Sequence, residues 1–107
     1  MSDVVDRIVE AFNRRDVDAF AAGYADDVVI EDARGAVLLS GIDGVRARYA
    51  AMFAECPDLH CEILARTTVG EYVVDEERVT GRAPRPERLV VVYHLDGDRV
   101  DHERIVR

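Results

Sequence analysis

The sequence predicts an α+β domain with three helices in its first half and a mainly antiparallel sheet in its second. Apolar residues recur at helical spacing in three segments before Pro57, and from Leu59 onward that period gives way to alternation between apolar and polar residues. Turn-forming residues, many of them Gly or Asp, separate the alternating runs. A length of 107 residues fits one domain over 1–107, long enough to bury a core without a metal or a disulfide. The hydrophobic share of 49% argues for a folded globule rather than disorder.

Ser2 is placed to cap a first helix, whose Val5, Ile8, Val9 and Phe12 fall at i, i+3, i+4 and i+7 on one face. Asn13, Arg14 and Arg15 end it with positive charge near the negative end of the helix dipole, and Asp16 caps the next helix at once. That second helix carries Val17, Phe20, Ala21 and Tyr24 on its apolar face. A strand over 28–32 follows, in which Asp32 shares the parity of Val28 and Ile30. Asp32-Ala33-Arg34-Gly35 suits a type I turn into a second strand over 36–39. Val45, Tyr49, Met52 and Phe53 share a face of a third helix, which Pro57 limits.

The remaining chain reads as strands over 59–69, 72–80, 89–95 and 99–106. In the first of these Leu59, Cys61, Ile63, Ala65, Thr67 and Val69 share a side. Asp75-Glu76-Glu77-Arg78 puts charge on both faces of the second, which reads as a bulged or exposed segment or, in the alternative, as one from which Glu76 or Arg78 reaches a cavity mouth. Residues 82–86 form a surface loop, and the last two strands close as a hairpin around Asp96-Gly97-Asp98. Its more apolar face, Val91, Tyr93, Leu95, Val100, His102, Arg104 and Val106, is expected inward; His94, Asp101, Glu103 and Ile105 fall on the other.

Charge narrows the function classes. A net charge of -8 with 14 scattered basic residues, all arginine, excludes a nucleic-acid stripe. The N-terminal MSDVVDRIVE has acidic residues and no apolar run, so neither a signal peptide nor a membrane anchor is expected, and the expected location is the cytoplasm. Cys56 and Cys61 are expected to be free thiols. No metal site is expected, because His60 and Cys61 point to opposite faces and no second ligand pair completes four.

The segments AFNRRDVDAFAAGYADDVVIED, SGIDGVRARYAAMF and DGDRVDHERIV, in this order over nearly the whole chain, resemble the nuclear transport factor 2-like superfamily. Its ketosteroid isomerase and SnoaL-like branches are the most similar. The resemblance implies a cone-shaped roll, in which three helices close a curled sheet around an apolar pocket, and a homodimer. In the isomerases the aspartate ending the first strand is the general base, and Asp32 stands at that position. The isomerase's oxyanion tyrosine and second aspartate align with Ile8 and Val91, so that oxyanion hole is missing and Tyr93 is left as a possible donor. In the SnoaL-like cyclases the last strand carries His-x-Asp, where this chain has His102-Glu103-Arg104.

These residues define a candidate set: Asp32 and His102 as catalytic groups, with Tyr93, Arg104, Tyr24 and Val91 as substrate-binding ones. Each also has a structural reading. Asp32 opens a turn, His102 is a partly buried histidine satisfied by Tyr93 or Asp32, Tyr93 is a core aromatic whose hydroxyl needs a partner, and Arg104 pairs with a buried carboxylate. Two functions fit: a cofactor-independent isomerase or cyclase acting on a small apolar carbonyl compound, or a non-catalytic ligand-binding or dimerisation module.

Overall fold

The computed structural model describes residues 3–107, so the cap expected of Ser2 lies outside the described residues. The elements run α1 (Asp3–Arg14), α2 (Val17–Ala21), β1 (Tyr24–Asp32), β2 (Val37–Ser40), α3 (Ile42–Glu55), β3 (His60–Val69), β4 (Tyr72–Thr80), β5 (Glu87–Asp96) and β6 (Arg99–Val106). Six strands form one sheet in the order β2-β1-β6-β5-β4-β3. All neighbours are antiparallel except β1 and β6, so the sheet is mixed, and it is not closed. The three helices pack on it, in keeping with the α+β class.

The junction of α1 and α2 follows from local chemistry. Arg15 takes φ 55°, and the Arg15 and Asp16 amides donate to the Phe12 and Ala11 carbonyls, which closes α1 in a Schellman motif. Asp16 then accepts from the Ala19 amide as the cap of α2. Asn13 exchanges two hydrogen bonds with the Cys61 backbone, and Arg15 donates to the Leu59 carbonyl, so the same short segment pins the helices to the start of β3. Phe12, Phe20, Tyr49 and Phe53 pack as an aromatic cluster where the three helices meet, with the Phe20 and Tyr49 rings 4.4 Å apart.

Helical spacing extended α2 as far as Tyr24, but the helix ends at Ala21 and Tyr24 begins β1 instead. Gly23 makes this switch at close quarters: a Cβ there would lie 2.4 Å from Ile8 Cγ1, so α1 sits directly on the chain entering β1.

Two bulges decide which residues face the core. In β3 an extra residue, Leu64, falls between Ile63 and Ala65 opposite β4, so Arg66 rather than Ala65 or Thr67 turns inward. In β6, His94 pairs with His102 while Leu95 pairs with Val100, leaving Asp101 as the extra residue. The expected inward face of β6 is therefore reversed beyond Val100. Glu103 and Ile105 turn in, and His102 and Arg104 turn out. The acidic segment of β4 pairs with β5 without a bulge and is exposed on one face only: Asp75 and Glu77 alternate inward with Val73 and Val79, while Glu76 and the exposed Arg78 pair on the outer face with Arg88 and Glu62.

Candidate functional site

A cavity of about 60 Å³ lies between the helices and the inner face of β4, β5 and β6. Phe12, Phe20, Tyr49 and Met52 wall it from the helices. From the sheet, Glu77 and Glu103 project into it at 5% and 3% exposure. A carboxylate so placed needs partners or a proton. Tyr24 Oη donates to Glu103 Oε1 at 2.7 Å, and Tyr93 Oη donates to Glu77 Oε2 at 3.4 Å. The Cys61 thiol also bonds to Glu77.

Burial, opposed by the Tyr24 hydrogen bond and reinforced by the charge of Glu77, pushes Glu103 up to about 8. Burial also raises Glu77, to about 7, with the Cys61 hydrogen bond lowering it and the Asp75 charge raising it. Both acids are thus held above the ordinary carboxylate range, burial being the first cause in each. Tyr24 and Tyr93 are held far above their ordinary value by burial first and by these carboxylates second, so both are hydrogen-bond donors. Burial likewise keeps the Cys61 thiol protonated, which removes it as a nucleophile. Asp75, fully buried next along β4, is held by a two-pronged pair with Arg66 at 2.6 and 2.9 Å.

A second, larger hollow of about 590 Å³ opens beside the first and shares Tyr49, Met52, Arg82, Ile105 and Arg107 with it. Its floor includes the buried Ile30, and its outer wall carries Asp32, Arg34 and Arg48. The inner cavity therefore adjoins a vestibule large enough for an organic ligand.

The model of the SnoaL-like domain matches residues 5–107. The chain belongs to the SnoaL-like domain family. An uncharacterised cystatin-fold protein from Novosphingobium aromaticivorans superposes with a TM-score of 0.90 at 33% identity, over 100% of this chain and 99% of that one. A Sinorhizobium meliloti protein, described as a candidate polyketide cyclase, gives 0.85 at 25% identity over 98% and 94%. An epoxide hydrolase of the LEH-like kind from M. tuberculosis gives 0.79 at 19% over 96% and 78%, a likeness of fold alone. No curated protein sequence matches this chain.

In this SnoaL-like domain the residues singled out from sequence part company. Tyr24, Val91 and Tyr93 line the inner cavity. Asp32 does not enter it: its Oδ1 accepts from the Arg34 and Ala36 amides at 2.8 and 3.0 Å, the turn-opening arrangement, and it faces only the outer hollow. His102 and Arg104, 39% and 43% exposed, lie on the opposite face of β6, where both bond to Glu31 at 2.6 and 3.1 Å. The Arg104 and His102 hydrogen bonds hold Glu31 below its ordinary value, so the cluster reads as a surface ion pair and not as a pocket group. His94 lies on the outer face as expected, bonded to Asp101 at 2.6 Å.

The acids of the site, Glu77 and Glu103, were not among the sequence candidates. For Glu77 a signal existed: Val73 and Val79 share its parity, and two valines flanking Asp75 and Glu77 mark an inward face. For Glu103 there was none, because the bulge at Asp101 that turns it inward leaves no local mark in composition. Among the described residues no group of His, Cys, Asp and Glu is placed to hold a metal, and no helix is long and apolar enough to cross a membrane.

Proposed function

We propose that this SnoaL-like domain is a cofactor-independent acid–base enzyme of the isomerase or cyclase type, acting on a small, largely apolar carbonyl compound. One observation carries the reading: two carboxylic acids, Glu77 and Glu103, share a largely apolar cavity in which each is bonded by a tyrosine and, among the described residues, neither forms an ion pair, because the Arg82 and Arg107 that also line it are held by Glu87. Glu77, raised to about 7 and so able to take up a proton at neutral pH, removes one from the carbon beside the carbonyl. The electron pair moves onto the carbonyl oxygen. Glu103 is protonated at that pH, and with Oε1 taken by Tyr24 its own proton is left to the developing oxyanion. Returning the proton from Glu77 to another carbon completes an isomerisation. The general-base role expected of Asp32 thereby passes to Glu77.

The volume of the inner cavity favours a second reading. About 60 Å³ takes a few waters or the reacting end of a ligand, not its body, which also suits a binding module whose buried acids perform no chemistry. Hydrogen–deuterium exchange beside the carbonyl of β-tetralone, followed by NMR in heavy water, separates the two. The enzyme reading expects wild-type protein to accelerate exchange, and Glu77→Gln to lower the rate by about 10²-fold or more while the protein stays folded. No acceleration by the wild type, or an undiminished rate in Glu77→Gln, overturns it in favour of the binding module.

A further inference from the structure

The outer hollow is cationic in a chain of net charge -8. Arg34, Arg48, Arg82 and Arg107 line it against a single carboxylate, Asp32, whose Oδ1 is already taken by two amides of its own turn. Arg82 and Arg107 are held from outside the hollow by Glu87: Arg82 in a two-pronged pair at 2.9 and 2.8 Å, Arg107 at 3.3 Å. Arg34 and Arg48 are exposed at the outer wall and, among the described residues, form no ion pair. Beneath these guanidiniums the lining is apolar, formed by Ile30, Leu39, Met52 and Ile105.

This pairing of charge and apolar surface selects a ligand chemistry. An acidic protein repels anions over most of its surface, so a local excess of arginine is a focused field and not a by-product of a basic chain. Guanidinium forks match the geometry of a carboxylate or sulfonate, and two without partners have hydrogen bonds to give. The apolar floor has no use for a simple inorganic ion. It suits a hydrocarbon body attached to the anionic group.

We propose that the outer hollow binds an amphipathic organic anion, its acidic group at Arg34 and Arg48 and its apolar body on Ile30, Leu39, Met52 and Ile105. The shared wall of Tyr49, Met52 and Ile105 then lies between that body and the Glu77–Glu103 cavity. That the anion is also the substrate, an apolar carbonyl compound bearing a carboxylate-like group, rests on the acid–base reading above; its binding does not.

The test uses a matched pair of fluorescent probes, anilinonaphthalene sulfonate and its uncharged parent anilinonaphthalene, titrated into the whole protein. The sulfonate is expected to bind about tenfold or more tightly, the scale of a charge-assisted hydrogen bond. The double variant Arg34→Ala/Arg48→Ala should abolish that preference while leaving the affinity for the uncharged probe unchanged. Arg78→Ala/Arg88→Ala alters net charge equally on the outer sheet face and should preserve the preference. Equal affinity for the two probes, a preference that survives Arg34→Ala/Arg48→Ala, or binding of neither probe overturns the proposal. The exchange rate of β-tetralone reports on the acid–base reading alone, so the two can fail separately.

Discussion

Glu103 is the more strongly raised of the two cavity acids, and its protonation has a consequence for stability. Its folded value of about 8 stands above the ordinary 4.5, chiefly through burial, and that of Glu77 is raised to about 7 for the same first cause. Between the unfolded and folded values the native state binds more protons than the unfolded chain. The stabilisation tied to these acids is therefore complete below about pH 4.5 and is lost as pH rises toward 8. Glu87 and Glu31 work in the opposite sense: hydrogen bonds from Arg82 and from Arg104 respectively lower them, so their contribution is present above the unfolded value and lost as pH falls. Glu103→Gln retains an acceptor for Tyr24 but cannot ionise. Its melting temperature should match or fall slightly below the wild type at about pH 5 and exceed it at about pH 9. Melting curves that stay parallel across that range would show that Glu103 does not carry the linkage.

Strand geometry, more than composition, decides what each element offers the cavity. The extra residues Leu64 and Asp101 reverse the alternation of β3 and β6, and between them they bring Arg66 to Asp75 and Glu103 to Tyr24. Each bulge exchanges the faces of everything beyond it. The exit from β4 is fixed differently. Gly81 has φ +86°, and a Cβ there would lie 2.3 Å from the Asp58 carbonyl oxygen, so the loop after β4 lies directly against the segment leading into β3. Gly81→Ala faces both the left-handed backbone and a backbone clash that no rotamer relieves. A loss of about 2 kcal/mol or more is expected in urea unfolding, with the midpoint lowered and the m-value retained. A loss within about 0.5 kcal/mol would mean that the two loops are free to separate.

Across the whole molecule, one guanidinium joins three elements. Arg66 on β3 pairs with the fully buried Asp75 on β4 and with Asp6 on α1, which ties a helix to the sheet at the edge away from β1 and β2. Asp75 has no exposed surface, so removing its cation strands a buried charge. Arg66→Met is expected to lower the unfolding free energy by about 3–5 kcal/mol at neutral pH. Asp6→Asn, which removes only a half-exposed partner, should cost about 1 kcal/mol or less. Similar losses from the two variants would place the anchor at the helix instead of inside the sheet. Arg66 and Asp75 hold the wall beside Glu77, so Arg66→Met should also raise Glu77 further by removing a nearby positive charge.

Local sequence pattern carried the element order, the buried face of α3, the cap at Asp16 and the turn at Asp32, because each depends on neighbours within a few residues. It also carried the inward face of β5, where Val91 and Tyr93 line the cavity. The family was legible in the order of motifs, and the match over residues 5–107 establishes it. The acids of the candidate site were not legible. A bulge is a relation between two strands and has no spelling in either one, so parity counted along β6 placed His102 and Arg104 inside and Glu103 outside. The vestibule of arginines is likewise assembled from the turn after β1, α3, the loop after β4 and the chain end, segments that only tertiary packing brings together. Local pattern determined what the elements are; the pairing between them decided which charges face the cavity.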